Sequence, residues 1–376
     1  MILGVISDSE MFPIGPQLSL VLFISFVCSL AGTWLCRKIA LRFGIVDKPD
    51  EEVKTHAAPV AYLGGIGIFF GCAIGMLAAI IYLYPSGTVK WLLGILAGGA
   101  IMCFVGGLDD IVEIKPWHKV LGQSIGAVVL VAVGIRPALE NLTTPLGCQI
   151  PPAVETIICF IMAMVFVLGA TNSLNLLDGI DGLCASVTAV IAAGMLGLGI
   201  LADLPRFFGE PVRIIIALAV LGSVCGFWPF NIKPAKIFMG DAGSLFLGFM
   251  MAALMMLFAE AGPKWCLCSI MIFGLPILDT AVAFARRRLN KRPLFVPDRG
   301  HIYDQMMDRG MSLNGAVKTC CILAGVYVLI GLVMSRIRMT HALIVCIIVF
   351  VLSSVVVWKR GFLKMEGLRG AVREGQ

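Results

Sequence analysis

Long apolar stretches recur along almost the whole chain and constrain its fold more than any other feature of the sequence. Hydrophobic residues make up 59% of the 376 positions and charged residues 14%, far more apolar surface than one soluble core can bury. A helix needs about 20 residues to cross a hydrocarbon layer of ~30 Å. Backbone groups in lipid must be paired within their own segment, so these stretches are predicted to be helices. We count eleven of them, approximately at 18–36, 62–84, 91–108, 119–134, 155–171, 184–202, 212–228, 242–259, 265–285, 319–335 and 340–358.

The first segment argues against a cleaved signal peptide, and the cysteines argue against a zinc site. Residues 1–17 carry Asp8 and Glu10 but no Lys or Arg, whereas a cleaved signal peptide begins with a basic region, so the first span is expected to be retained. Most of the 13 cysteines lie inside the apolar stretches, and their close pairs lack the spacing and histidine partners of a zinc site. They are expected to be reduced and to act as small buried hydrophobic residues.

The distribution of basic residues predicts how the spans are oriented. With an external N-terminus, 22 of the 29 Lys and Arg residues lie on the cytoplasmic side and the other seven lie outside. Basic residues accumulate in cytoplasmic loops, so the C-terminus is predicted to be cytoplasmic. The net charge of +6 reflects this bias and does not indicate nucleic-acid binding. The sequence thus predicts an all-α, polytopic integral membrane protein with one membrane domain, 1–376. Its cytoplasmic loops lie near 37–61, 109–118, 172–183, 229–241 and 286–318.

Two of these loops begin with clustered carboxylates and amides. Asp109 and Asp110 close the third span, where paired acids are costly to desolvate and mark a functional candidate; a solvated helix end is the alternative. After the fifth span, acidic and amide groups recur every three residues, a spacing that would place them along one side of a helical turn. These groups are Asn172, Asn175, Asp178 and Asp181.

Two further cytoplasmic segments carry groups that suit a bound metal and phosphate. Residues 240–244, with the sequence Gly-Asp-Ala-Gly-Ser, stand at the start of the eighth span. There the small residues admit a ligand and the helix N-terminus offers N–H donors to a phosphate; a common turn is the alternative. The last loop combines the arginine run 286–288 with Asp298, Arg299 and His301. The alternative for the arginine run, taken alone, is that it serves as a determinant of membrane topology.

The shared location of the four segments carries more weight than any one of them. All four fall on the cytoplasmic face under an orientation that was derived from the basic residues alone. Oxygen ligands with few cysteines or histidines favour Mg²⁺, or Mn²⁺, bound through one or two carboxylates and substrate phosphates. Calcium is disfavoured because Ala189 stands where a calcium loop starting at Asp178 needs its bidentate Glu. Basic side chains nearby would neutralise phosphate charge, so the combination predicts phosphoryl transfer.

In these motifs the chain resembles the polyprenyl-phosphate N-acetylhexosamine-1-phosphate transferases, the family of the bacterial WecA, TagO and MraY enzymes. The resemblance implies transfer of a sugar-1-phosphate, most simply GlcNAc-1-phosphate from UDP-GlcNAc, to undecaprenyl phosphate with release of UMP. It also implies eleven spans, an active site on the cytoplasmic face of the bacterial inner membrane, and Mg²⁺ as cofactor; a homodimer is left open. The matching motifs keep the family's order over most of the chain: Lys54-Thr55-His56, Pro59, Gly64-Gly65, Asp109-Asp110, 172–183, 240–244 and 298–301.

The resemblance also implies a role for each candidate site residue. Asp241 would hold Mg²⁺ on the diphosphate with Asn175 as its amide partner. Asp109 would deprotonate or orient the lipid phosphate, and Asp110 would support Asp109. Because a phosphate monoester has a second pKa of about 6, a strong base is not required, and we favour direct attack over an aspartyl-phosphate intermediate. The remaining groups would contact the nucleotide sugar and its phosphates: Lys54, Asn172, Asp178, Asp181, Arg299 and the catalytic His301.

One departure from the family pattern lies in the last loop. The WecA and TagO branch usually reads His-x-His-His there, whereas this chain reads His301-Ile302-Tyr303-Asp304. Any role that needs adjacent histidines is in doubt, and Tyr303 or Asp304 could supply hydrogen bonds in their place.

Two alternatives stay open from the sequence. A related enzyme would use UDP-MurNAc-pentapeptide or another UDP-N-acetylhexosamine as the donor. A secondary transporter would use the acids as ion sites, but such sites usually lie near the bilayer midplane between internal repeats. The acids here lie at one face and no repeat is evident.

Overall fold

The computed structural model describes residues 14–47, 59–83, 89–137, 151–203, 211–292 and 300–364. These residues form helices joined by short connections, with one two-stranded sheet. The helices are α1 Ile14–Phe43, α2 Gly64–Leu83, α3 Val89–Val112, α4 Pro116–Ala132, α5 Pro152–Leu177, α6 Leu183–Asp203, α7 Val212–Asn231, α8 Gly240–Ala261, α9 Pro263–Ile272, α10 Gly274–Leu289, α11 Ile302–Asp308, α12 Leu313–Met334 and α13 Met339–Lys359. The strands are β1 Val46–Asp47 and β2 Val60–Ala61.

The structure confirms a helical, polytopic membrane protein. Each of the eleven predicted apolar stretches contains a helix. Nine helices in the described residues are individually long and apolar enough to span a membrane, and the α9–α10 pair passes the same test as a broken span. α4 has 17 residues and falls just short of the ~20 needed for a crossing. The total of eleven crossings and the orientation of the termini stay predictions.

The ninth predicted span, 265–285, is not one straight helix. It is divided into α9 and α10, whose axes differ by 70°. Gly274 and Pro276 lie at the start of α10, and proline cannot continue the hydrogen bonding of a preceding helix. The bend turns α10 away from the direction of α9.

α8 is the central helix of the bundle. All of its membrane-spanning window is buried, against 11% for α13 and 28% for α12. It packs against α2, α3, α5, α7 and α9. A helix that is apolar on every side is expected in such a position. The N-terminus of α8 therefore meets the ends of several neighbouring helices.

Two close approaches of the backbone hold α8 against its neighbours. A Cβ atom on Gly65, at the start of α2, would collide with the backbone nitrogen of Gly243. A Cβ atom on Gly248 would meet Thr171 Cα and would come within 2.7 Å of the Ala170 carbonyl oxygen on α5. Small residues let transmembrane helices approach closely in this way. The approach at Gly248 packs the C-terminal half of α5 against the N-terminal half of α8.

A matched pair of glycine substitutions tests this packing. Gly248→Val is expected to destabilise the protein by about 1–3 kcal/mol, because overpacking a tight interface forces the backbones apart. Gly169→Val is the control, since a Cβ atom there meets nothing within 4 Å. Thermal unfolding in detergent should give a lower midpoint for Gly248→Val only. Equal midpoints for the two variants would contradict the α5–α8 contact.

The short sheet joins the first loop to the segment before α8. β1 and β2 are antiparallel, with Val46 opposite Ala61. The backbone N–H of Phe238 donates to the Ala61 carbonyl at 2.9 Å, and Gly64 N–H donates to the Phe238 carbonyl at 3.0 Å. These bonds fix the chain that leads into Gly240 and Asp241.

Candidate active site

A lysine ammonium joins two of the predicted carboxylates. Lys119 Nζ lies 2.5 Å from Asp109 Oδ2 and 2.5 Å from Asp241 Oδ2. Asp109 is in the last turn of α3, Lys119 is in the first turn of α4, and Asp241 is the second residue of α8. Three helix ends therefore meet at one cation, and the two acids lie within reach of the same ligand.

Asp110 binds the N-terminus of α8. Its Oδ1 accepts the backbone N–H of Asp241 at 2.8 Å, and its Oδ2 accepts that of Ala242 at 3.1 Å. The first N–H groups of a helix lack partners within the helix, and a carboxylate there is stabilised by the helix dipole. Gly240 has φ +65° and a Cβ atom on it would collide with the Asp110 carboxylate. The expectation that these N–H donors bind phosphate is therefore corrected, because Asp110 uses them.

Asn175 is placed beside Asp241, as a shared ligand role requires. Its Nδ2 donates to Asp241 Oδ1 at 2.7 Å and to Ser244 Oγ at 3.1 Å. Asn172 is not brought to this point. It is exposed, and its amide donates back to the Leu168 carbonyl of α5 at 2.8 Å.

The predicted alignment of residues 172, 175, 178 and 181 along one side of a helix is wrong. α5 ends at Leu177, so Asp178 and Asp181 lie in the turn that precedes α6. The turn contains Gly182 with φ +77°, a conformation that glycine adopts without steric cost. Asp181 Oδ2 accepts the N–H of Ala235 at 3.0 Å, which ties this turn to the chain before α8.

Asp178 lies close to several other acids of the site. Burial raises the pKa of Asp178 well above its ordinary value, and the neighbouring carboxylates of Asp241, Asp110 and Asp181 raise it further. Lys119 is the cation that contacts this group of acids among the described residues. Such an excess of acids favours the binding of an additional cation.

His301 is oriented by an acid that the sequence analysis did not select. Its Nδ1 lies 2.8 Å from Asp279 Oδ2, and Asp279 Oδ1 accepts the backbone N–H of Ile302 at 2.7 Å. Asp279 belongs to α10 and is 1% exposed. A carboxylate that accepts from Nδ1–H fixes the ring orientation and leaves Nε2 for a ligand.

Tyr303 connects the last loop to the end of α5. Its hydroxyl donates to the Leu176 carbonyl at 3.1 Å, and a Cβ atom on Gly179 would collide with that hydroxyl. Its ring stacks on His301 at a centroid distance of 5.7 Å. Tyr303 thus links the start of α11 to the end of α5. Lys54 and Arg299 lie outside the described residues.

Asp241 and Asn175 are the groups that would hold a magnesium ion here, if other ligands completed its coordination. Among the described residues, no group of three or more His, Cys, Asp or Glu side chains is arranged to hold a metal. Mg²⁺ commonly binds through one or two carboxylates and completes its coordination with phosphate oxygens and waters. Asp241 and Asn175, in contact at 2.7 Å, offer a carboxylate and an amide at one point.

Sequence reasoning missed two residues of the cluster. Lys119 was counted only as a topology charge, and nothing in its spacing linked it to Asp109 or Asp241. Asp279 lies inside a predicted apolar span, and an acid within a span is itself a functional candidate. That rule would have selected Asp279, whereas the contacts of Lys119 needed the structure.

The chain has relatives among known proteins over most of its length. Residues 92–259 match the model of glycosyl transferase family 4. A Bacillus subtilis protein named "Probable undecaprenyl-phosphate N-acetylglucosaminyl 1-phosphate transferase" is 30% identical over 342 residues, 89% of each chain. A decaprenyl-phosphate N-acetylglucosaminephosphotransferase of Mycolicibacterium smegmatis is 29% identical over 327 residues, covering 80% of this chain and 78% of its own.

A second type of relative matches a shorter part of the chain. A phospho-N-acetylmuramoyl-pentapeptide-transferase of Streptococcus thermophilus is 32% identical over 216 residues, which is 54% of this chain and 61% of that protein. The match to the Bacillus subtilis protein covers nearly the whole of both chains. This chain therefore belongs to glycosyl transferase family 4, the polyprenyl-phosphate N-acetylhexosamine-1-phosphate transferases.

Proposed function

We propose that this chain transfers N-acetylglucosamine-1-phosphate from UDP-GlcNAc to undecaprenyl phosphate at the cytoplasmic face of a bacterial inner membrane. An oxygen of the lipid phosphate attacks the β-phosphorus of the donor. The bond from that phosphorus to the bridging oxygen breaks, and the bridging oxygen leaves with UMP. The product is undecaprenyl diphosphate carrying the sugar.

The observation that carries the proposal is the contact of Lys119 with Asp109 and Asp241. It brings together segments that lie far apart in the sequence, at one end of the helix bundle. Asn175 adds a further segment through its contact with Asp241. The names of the relatives with the longest matches given above specify N-acetylglucosamine and a polyprenyl phosphate, which favours the same substrates here.

Both substrates are anionic, so the site must reduce their mutual repulsion. When bound at Asp241 and Asn175, Mg²⁺ would supply charge stabilisation to the diphosphate. Lys119 places a second positive charge at the same point, and Asp109 lies beside it to orient the lipid phosphate. Asp110 keeps the first turn of α8, and hence Asp241, in position.

His301 is suited to contact a phosphate of the substrate. Asp279 holds its Nδ1, so Nε2 is the nitrogen that can donate to or accept from a substrate oxygen. Asp178 and Asp181 lie in the turn between these groups, where they would line the nucleotide pocket.

Release of UMP by the purified protein tests the proposal. With UDP-GlcNAc and undecaprenyl phosphate in detergent micelles, UMP should form, and omission of the lipid should abolish it. EDTA is expected to reduce release to background and excess Mg²⁺ to restore it. The absence of UMP with every UDP-sugar tried would refute the proposed transfer, and full activity in EDTA would refute the metal requirement.

A panel of donors separates the related functions. UDP-GlcNAc, UDP-GalNAc and UDP-MurNAc-pentapeptide are supplied in parallel at equal concentration. The 32% identity to the Streptococcus thermophilus protein over 216 residues makes the pentapeptide donor the second candidate. We expect kcat/KM to be highest for UDP-GlcNAc. A preference for the pentapeptide donor would assign the chain to that activity.

A further inference from the structure

The end of the last helix folds into a turn that faces the His301 loop. α13 ends at Lys359, and Gly361 has φ +69°. Gly361 N–H donates to the Trp358 carbonyl and Phe362 N–H donates to the Val357 carbonyl, both at 3.0 Å. This is a common helix ending in which a left-handed glycine reverses the chain. We call residues 360–363 the C-terminal turn.

Four consecutive carbonyl groups of the C-terminal turn accept hydrogen bonds from the side chains of three residues. Arg309 donates to the carbonyls of residues 360 and 361 at 2.7 and 3.3 Å. Gln305 donates to that of residue 362 at 2.9 Å. Asn290 donates to that of residue 363 at 3.2 Å. These carbonyls lie in the turn beyond the last residue of α13, and side chains of α11 and of the residues that end α10 and α11 supply their donors.

An apolar contact lies beside the hydrogen bonds. Val357 is buried together with Val282 of α10 and Ile302 of α11, and Phe362 packs against this group. The guanidinium of Arg309 lies 4.6 Å from the centre of the Phe362 ring. The C-terminal turn is therefore attached to α10 and α11 by both polar and apolar contacts.

These contacts reach the backbone of His301 itself. Gln305, which is fully buried, donates from Nε2 both to the Phe362 carbonyl and to the Gly300 carbonyl at 2.9 Å. Gly300 precedes His301, and Ile302 follows it within the apolar group. Val282 lies one turn after Asp279 on α10, so the same group also touches the helix that orients the His301 ring.

From these contacts we propose that the C-terminal turn positions His301 for the reaction, with Gln305 and Arg309 as positioning residues. The inference rests on the proposed function, because His301 matters there as a phosphate contact. Small displacements of a group at a reacting centre lower rates strongly, by about 100-fold for 1 Å. The turn lies about 60 residues beyond His301 in the sequence and carries none of the motifs that indicated the site.

Substitution of Gln305 by methionine tests the proposal. Methionine keeps the length of the side chain but cannot donate to the Gly300 and Phe362 carbonyls. We expect kcat for UMP release to fall about 10-fold, a part of the loss that a full 1 Å shift would cause, and KM for UDP-GlcNAc to change less than twofold. Lys364→Ala is the control, because Lys364 is exposed and follows the turn; its kcat should equal that of the wild type.

A double variant separates positioning from a general loss of stability. If Gln305 acts through His301, then Gln305→Met should lower kcat no further in a His301→Gln background. A purely structural effect would instead lower kcat by the same factor in both backgrounds, and that result would overturn the proposal. If Gln305→Met does not fold, Arg309→Met removes two of the four bonds and is tested in the same cycle.

Hydrogen–deuterium exchange gives a readout that does not depend on the reaction. In the full-length protein, Gln305→Met should speed exchange in a peptide that covers residues 300–308, while α8 keeps the exchange rate of the wild type. Unchanged exchange in 300–308 would overturn the proposal even if activity falls. If the wild type releases no UMP while Gln305→Met still speeds exchange in residues 300–308, the proposed function is refuted. The contact between the C-terminal turn and the His301 segment then stands.

Discussion

Replacement of Asp241 by asparagine is expected to lower the rate of UMP release about 1000-fold. A metal ion at a transferring phosphoryl group contributes several kcal/mol of charge stabilisation, and each 1.36 kcal/mol corresponds to tenfold in rate. Asparagine keeps the shape of the side chain but removes the charge that would bind Mg²⁺. Steady-state UMP release, measured over a range of Mg²⁺ concentrations, should show a lower kcat and a higher half-saturating Mg²⁺ concentration.

The fold should survive this substitution, because the bonds that fix the first turn of α8 use the backbone. Asp110 accepts the main-chain N–H groups of residues 241 and 242, which asparagine leaves unchanged. Glu113→Gln is the matched control. Glu113 is an exposed acid that follows Asp110 by three residues, and its loss of charge should leave kcat within twofold. An Asp241→Asn variant with more than a tenth of the wild-type rate would remove Asp241 from the proposed metal site.

The helices were predictable because the backbone in lipid must pair all of its hydrogen-bonding groups. Each long apolar stretch had to become a helix that pairs its own N–H and C=O groups. The same argument cannot predict where a span breaks, since the 70° bend between α9 and α10 depends on packing as well as on Gly274 and Pro276. It cannot show which helix is central either, because α8 has much the same composition as its neighbours.

The sequence predicted most residues of the candidate site but few of the contacts between them. Carboxylates at span ends are conspicuous in an apolar sequence, so Asp109, Asp110 and Asp241 could be selected without a structure. The different roles of Asp109 and Asp110 could not be predicted, because they depend on which carboxylate contacts the N-terminus of α8. The three-residue spacing after Asn172 was misleading, since Gly179 and Gly182 allow a turn where a helix was expected.

The site also depends on glycines whose positions are evident in the sequence but whose packing role is not. The Gly-Asp-Ala-Gly-Ser segment was expected to admit a ligand between its small residues. In the structure, Gly243 accommodates the backbone of Gly65, and Gly240 accommodates the Asp110 carboxylate. The small residues thus let helix ends converge, and the convergence is what places Asp241 beside Lys119 and Asn175.

Replacement of Lys119 by methionine is expected to lower kcat about 100-fold. The ammonium contacts Asp109 and Asp241 at 2.5 Å each, and methionine would leave these two carboxylates facing each other without their shared cation. It would also remove a positive charge from the place where negative charge develops on the transferring phosphoryl group. Loss of one such electrostatic contact typically costs about 10²–10³ in kcat.

The dependence on Mg²⁺ distinguishes this variant from Asp241→Asn. Lys119 contacts Asp241 Oδ2, where it opposes a second cation, so Lys119→Met should leave the half-saturating Mg²⁺ concentration unchanged or lower. Lys115→Met is the control, because Lys115 is an exposed lysine four residues earlier and should keep the wild-type kcat. If Lys119→Met instead raises the Mg²⁺ requirement as Asp241→Asn does, Lys119 supports the metal site and does not act on the phosphates directly.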